Sequence, residues 1–241
     1  MSSRSNRHQR RRKENEVVDS QAKTSKSDYG GQIQRLQPKT LNQARLIRSI
    51  KQNHVTVAAA PAGCGKTLIA LHEAVWMLDK GLIDQILYVK PIVDITDQRG
   101  LGFLPGDLDE KVLPLLAPLL DNLEVFVAPG KIQYLLAKET IKFQPLEYIR
   151  GRSLRNTFIV ADEFQNATIH NALTVISRIE ESSRIVMLGD PRQRDNRLTT
   201  NALTDAMARL KGATSVGVVQ FEKEDIVRNV FLKDVFDRYD N

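Results

Sequence analysis

The sequence predicts an α/β domain built on a mainly parallel sheet flanked by helices. Three observations carry that prediction. Short β-branched runs alternate with longer stretches whose apolar residues recur three and four apart. Two of the short runs, Phe158-Ile159-Val160-Ala161 and Ile185-Val186-Met187-Leu188, are apolar throughout, as strands covered on both faces are. Glycine and proline clusters punctuate the chain between these segments. A chain of 241 residues has room for one large domain or two small ones. With 41% hydrophobic and 27% charged residues it is neither collagen-like nor disordered throughout. No apolar run approaches the roughly 18 to 20 residues that cross a bilayer, so a membrane span is not expected.

The net charge of +6 is concentrated at the start. Arg4, Arg7, Arg10, Arg11, Arg12 and Lys13 all precede the first acid, Glu14, and the rest of the chain sums to zero. Residues 1–32 are polar and are expected to form a disordered basic tail, with the folded domain spanning 33–241. Such a tail either holds nucleic acid loosely through phosphate neutralisation or only keeps the protein in solution. No apolar side chain follows Met1 until Val17, so no signal peptide is expected. The single cysteine, Cys64, fits a reducing compartment, and the cytoplasm is the expected location.

Along the domain, Thr40 should cap a helix over about 41–51, followed by a strand over 54–60. A glycine-rich turn over 61–65 opens a second helix, 66 to about 79, which Lys80-Gly81 should end. Residues 85–93 read as a strand and 94–106 as a loop. A helix over about 108–123 should be kinked or split by Pro114 and Pro118, and 132–138 is helical in pattern. Strands are expected at 157–161 and 184–188, each ending in acids or Gly-Asp. Amphipathic helices at 203–210 and 226–239 flank a last strand, 216–221. No internal repeat is present.

The chemistry is carried first by Ala60-Pro61-Ala62-Gly63-Cys64-Gly65-Lys66-Thr67, a phosphate-binding loop between a strand and a helix. Gly63 and Gly65 let successive backbone amides turn toward a phosphate at the positive end of the following helix. Lys66 should reach the β- and γ-phosphates, and Thr67 should offer its hydroxyl to Mg²⁺. Ala60 stands where the first glycine is usual. The second signal is the strand Phe158–Ala161 ending in Asp162-Glu163. Asp162 would hold Mg²⁺ through water, and Glu163 would orient and activate the attacking water. The third is Gly189-Asp190-Pro191-Arg192-Gln193, which places Asp190 and Gln193 where a γ-phosphate sensor belongs. Gln43 either reads adenine through its amide edge or is a surface glutamine. Cys64, inside the loop, is expected to be alkylated by thiol reagents and protected by Mg²⁺-ATP.

These residues resemble the phosphate-starvation-inducible PhoH-like ATPases, P-loop NTPases with a RecA-type, superfamily 1 helicase-like core. The resemblance covers about 33–240. Besides the loop and the two strand ends, it rests on Asn42-Gln43, Leu101-Gly102-Phe103-Leu104-Pro105-Gly106-Asp107-Leu108, Pro145-Leu146-Glu147-Tyr148-Ile149-Arg150-Gly151-Arg152, Asp162-Glu163-Phe164-Gln165-Asn166 and Asp225-Ile226-Val227-Arg228. It implies ATP and Mg²⁺ as cofactors, a catalytic role for Arg228, an RNA or single-stranded nucleic acid partner, and a homo-oligomeric ring, a hexamer. Short versions of this kind are similar to those that phages encode. Cys64 stands where the family usually has Thr, and Phe164 where it has a small residue.

Three functions compete at this point. The first is an Mg²⁺-dependent ATPase that works on nucleic acid, with the second half of its motor supplied by another subunit. An arginine finger in such a ring is worth roughly 10³ to 10⁵ in rate. The second is a P-loop small-molecule kinase, and the third a nucleotide-switched RNA-binding module with little turnover. Arg150, Arg152 and Arg155, and likewise Arg192, Arg194 and Arg197, either bind phosphate or are solvated. Trp76 is expected in the core, and none of the four histidines has metal-ligand spacing.

Overall fold

The computed structural model describes Ile33, residues 35–91, 108–149, 153–193 and 201–229, Phe231 and Arg238. The expected basic tail and the loop over 94–106 lie outside the described residues. Thr40 caps the first helix as expected, its hydroxyl accepting the Gln43 N–H at 3.2 Å, and α1 runs Leu41–Gln52. The chain then forms β1 (Val55–Ala59), α2 (Lys66–Asp79) and β2 (Gln85–Lys90). Next come α3 (Leu108–Glu124), α4 (Pro129–Ala137), β3 (Ile141–Pro145) and β4 (Thr157–Ala161). The order closes with α5 (Ile169–Ile176), β5 (Arg184–Gly189), α6 (Ala202–Leu210) and β6 (Val216–Gln220).

The six strands form one sheet in the order β3-β2-β4-β5-β1-β6, and every neighbouring pair is parallel. Alternate residues along each strand feed two cores. Ala58, Ile86, Tyr88, Phe158, Val160, Val186 and Leu188 pack with Leu46 and Ile50 of α1, Ile69 and Leu71 of α2, and Leu119 and Leu123 of α3. On the other face Val57, Ala59, Leu87, Ile159, Ala161 and Met187 meet Val175 of α5 and Leu203 of α6. Central strands buried on both faces explain the unbroken apolar runs in the sequence. Parallel strands also bring all their carboxyl ends to one edge, where the ends of β1 and β4 flank that of β5.

Four local expectations are corrected. The helix expected to be kinked or split at Pro114 and Pro118 is not split: α3 runs through both prolines. Prolines four apart fall on one helical face, so the lost amide hydrogen bonds are confined to one side and the ladder continues on the other. β3 was not anticipated, because a short edge strand ending in Pro145 and only partly buried lacks the apolar signature of the inner strands. α5 was missed because Ile169, Thr174, Val175 and Ile176 are β-branched, although Thr168 caps it by accepting the Asn171 N–H at 3.1 Å. Residues 226–229 are not helical, Ile226 having an extended backbone; the rest of that expected helix, apart from Phe231 and Arg238, lies outside the described residues.

Two packing features fix the parts that reach the site. β6 passes so close under α1 that a methyl group at Gly217 would overlap Ser49 Oγ and come within 2.7 Å of Asn53 Nδ2. Gly217→Ala is therefore expected to lower stability by about 1–3 kcal/mol, as overpacking does. An unchanged denaturation midpoint would show that α1 stands further off.

The segment before α1 is clamped onto α2. Arg35 donates to both carboxylate oxygens of Glu73, at 2.9 and 3.1 Å, and its guanidinium lies 3.6 Å from the centre of the Trp76 ring. Trp76 is thus partly exposed beneath a cation and not wholly in the core. Burial alone would push the Glu73 carboxyl up, but His72, Lys51 and Arg35 together outweigh it and hold the group below its usual range. A depressed native value means the contribution is complete above the unfolded glutamate value of about 4.3 and is lost as pH falls through the native one. The melting temperatures of wild type and Glu73→Gln should accordingly differ at neutral pH and converge in acid. A gap that widens in acid would contradict the clamp.

Candidate active site

β1 delivers the chain into the phosphate-loop sequence at the carboxyl edge of the sheet. The Ala60 N–H donates to the Gly189 carbonyl at 3.0 Å, which joins the loop to the end of β5. Gly63 and Gly65 have φ of +85° and +76°, the left-handed region that glycine enters without a Cβ clash. Ala60 is not among the residues with positive φ, so a methyl group in place of the usual glycine brings no left-handed backbone strain there. α2 starts at Lys66 with Gly65 as its N-cap and no side-chain cap, leaving its first amides for an anion to satisfy.

Glutamine and the C-terminal segment hold the loop from outside. Gln43 is 4% exposed, which excludes the surface-glutamine reading. Its Oε1 accepts the Lys39 N–H at 2.7 Å and its Nε2 donates to the Cys64 carbonyl at 3.0 Å. The N–H groups of Val227 and Arg228 both donate to the Gly63 carbonyl, at 3.1 and 3.2 Å. Asp225, itself buried, accepts from Asn42 Nδ2 at 2.7 Å and from the Glu222 N–H at 2.9 Å. The Arg228 side chain is exposed. Cys64 corrects an expectation: its side chain is wholly buried in the core beside the loop. Native Cys64 should therefore react with a thiol reagent no faster than the fold opens. Labelling at the rate of an exposed thiol would place the side chain elsewhere.

Thr67 and Asp162 meet across the sheet edge. The Thr67 hydroxyl donates to Asp162 at 3.1 and 3.2 Å, and the Tyr88 hydroxyl donates to Asp162 Oδ2 at 2.8 Å. Burial, then the negative charges of Asp162 and Glu163, push the Tyr88 phenol far up, so it remains a donor. A hydroxyl and a carboxylate converging at this distance are hard oxygen ligands, and they fit Mg²⁺.

Glu163 follows with φ of +53°, a strained value for a residue with a side chain. The turn is held by the Glu163 N–H donating to Asp162 Oδ1 at 3.1 Å and by the Asn166 N–H donating to the Glu163 carbonyl at 3.0 Å. At the end of β5, Asp190 Oδ1 accepts the Arg192 N–H at 3.0 Å, and the Gln193 N–H donates to the Asp190 carbonyl at 3.1 Å. Gln193 is exposed.

The structure thus brings Pro61, Ala62, Gly63, Cys64, Gly65, Lys66 and Thr67 of the loop together with Asp162, Glu163, Asp190, Gln193, Gln43 and the backbone of Arg228. It does not bring Arg155, which stands before the amino end of β4 and pairs with Glu180 at 2.9 Å. Arg192 is exposed on the loop after β5. Arg150, Arg152, Arg194, Arg197 and the Leu101–Asp107 segment lie outside the described residues. Sequence reasoning missed Tyr88 and Gln165. Nothing local marks Tyr88, whereas Gln165 lies two residues after Glu163 in a segment already singled out. Among the described residues no helix is long and apolar enough to cross a membrane.

Residues 35–240 match the family model described as PhoH-like protein. A PhoH-like protein of Synechocystis sp. is 36% identical over 203 residues, 84% of this chain and 61% of that one. A PhoH-like protein of Bacillus subtilis is 33% identical, over 84% of this chain and 63% of that one. Protein PhoH of Escherichia coli is 32% identical, over 82% and 57%. The chain therefore spans about three-fifths of the length of these curated relatives. Among solved structures, the large terminase of a thermophilic bacteriophage superposes with a TM-score of 0.51 at 11% identity, over 83% of this chain and 48% of that one. That likeness is one of fold: the six-stranded parallel sheet flanked by helices is a P-loop NTPase core.

Proposed function

This chain belongs to the PhoH-like protein family, and from that premise we propose that it is an Mg²⁺-dependent ATPase acting on RNA or single-stranded nucleic acid as one subunit of a hexameric ring. The observation that carries the reading is the meeting of three things at one sheet edge. They are a loop with two left-handed glycines, the Thr67–Asp162 pair, and Glu163 in a strained backbone.

In this reading the amides of residues 62–67 wrap the β-phosphate and Lys66 neutralises the β- and γ-phosphates. Thr67 and Asp162 would hold Mg²⁺, which offsets charge developing on the transferred phosphoryl group. Tyr88 keeps the Asp162 carboxylate oriented. Glu163 orients the attacking water and accepts its proton, while Asp190 and Gln193 at the neighbouring strand end sense the γ-phosphate. Gln43 keeps one N–H and one lone pair for adenine after its two backbone bonds. Arg228, its backbone fixed to Gly63, supplies a cation beside the loop. In the proposed ring a neighbouring subunit supplies the second half of the motor.

The test is ATP turnover with RNA, with single-stranded DNA, without nucleic acid, and with a panel of phosphate acceptors. Phosphate release into water, faster with nucleic acid, supports the proposal. Transfer to an acceptor would make the protein a kinase, and binding without turnover would make it a nucleotide-switched binding module.

A further inference from the structure

We infer that Gln165 is a positioning residue that fixes the Glu163 carboxylate and ties it to the loop after β5, so that Glu163 is set for catalysis only when that loop is in place. The inference rests on the reading of Glu163 as the group that activates water. Gln165 is wholly buried, and its amide has polar partners on two different strand ends. Nε2 donates to Glu163 Oε2 at 2.6 Å and to the Gln193 carbonyl at 2.8 Å, while Oε1 accepts the Asp190 N–H at 3.1 Å.

This set of partners admits one orientation of the amide. Both hydrogens of Nε2 are spent on acceptors and Oε1 faces a donor, so a flipped amide would set its oxygen against a carboxylate and a carbonyl. The bond to Glu163 is the short, charge-assisted kind. One buried side chain thus connects the residue that handles water to both residues expected to sense the γ-phosphate. Displacement of Gln193 or Asp190 withdraws a partner from the amide that holds Glu163.

The neighbouring backbone is shaped to leave room for this amide. A methyl group at Gly189 would overlap Gln165 Oε1 and come within 3.1 Å of the Gln165 backbone nitrogen. Gly189 is not among the positive-φ glycines, so its lack of a side chain answers to space and not to backbone conformation. Gly189→Ala therefore disturbs Gln165 from outside while leaving every atom of the strut present.

The experiment measures ATP turnover, the Kd of a non-hydrolysable ATP analogue and thermal stability for Gln165→Ala, Glu163→Gln, the double variant and Gly189→Ala. Gln165→Ala is expected to lower kcat by about tenfold or more, since small misplacement of a reacting group is costly, with Kd within about threefold of wild type. In the Glu163→Gln background the same replacement should change kcat by less than about twofold, because a residue acting only through Glu163 has nothing left to position. Gly189→Ala should show the same split between kcat and Kd. Turnover of Gln165→Ala within about threefold of wild type, or losses that multiply in the double variant, would overturn the inference. If Gln165→Ala does not fold, Gln165→Glu keeps the size of the side chain and repels Glu163, and together with Gly189→Ala it decides the matter by the same criteria. Near-normal turnover by Glu163→Gln would bring down the reading of Glu163 together with the inference. A slow Glu163→Gln beside a normal Gln165→Ala removes the inference alone.

Discussion

Glu163→Gln is expected to bind Mg²⁺-ATP with wild-type affinity and to hydrolyse it at least about a hundredfold more slowly, the usual cost of losing a general base. The substitution is nearly isosteric and leaves the metal pair alone. Asp162 keeps its bonds from Thr67 and Tyr88, and the Glu163 N–H still reaches Asp162. The new amide oxygen can still accept from Gln165, so the turn should persist with only the proton acceptor gone. Single-turnover hydrolysis with a parallel binding titration separates the two effects. A rate within about threefold of wild type removes Glu163 from the chemistry, and a matching loss of ATP affinity makes its role one of binding.

Lys66→Ala is expected to abolish tight nucleotide binding. Lys66 is the first residue of α2, directly after the left-handed Gly65, so the cation and the free helical amides address the same anion. Removing one member of a largely desolvated charge pair typically costs about 2–5 kcal/mol, which is at least roughly thirtyfold in Kd. Calorimetric titration with Mg²⁺-ATP reads this directly. An unchanged Kd would refute the placement of the phosphates, whatever became of turnover.

Much of this site was legible in the sequence, for identifiable reasons. A loop that needs left-handed backbone at Gly63 and Gly65 must be written with glycine, and strands covered on both faces are apolar through their inner residues, as β4 is over 158–161 and β5 over 185–188. Acids directly after such strands then mark the edge where the candidate site lies. What escaped was decided by tertiary approach. Gln165 acquires its meaning only when the ends of β4 and β5 lie side by side, and Tyr88 only when β2 pairs with β4 and its hydroxyl meets Asp162. The sequence placed Cys64 in the loop correctly but could not say that the thiol turns inward, because side-chain direction in an irregular turn follows the packing around it. Residues 226–229 have helical periodicity, yet the backbone amides of Val227 and Arg228 are taken by the Gly63 carbonyl.

The position of β1 in the sheet has a consequence for biosynthesis. This strand carries the phosphate loop and is made early, but both of its ladder partners, β5 and β6, lie in the last quarter of the described sequence. The amides that close on Gly63 come later still. On a ribosome, β2 can already have both its neighbours while β1 still has none. On the proposed reading, nucleotide binding therefore cannot stabilise a chain that still lacks β5 and β6. It becomes available only when β6 has emerged, so ATP binding, if the proposed site holds, would distinguish a chain that has completed β6 from one truncated before it.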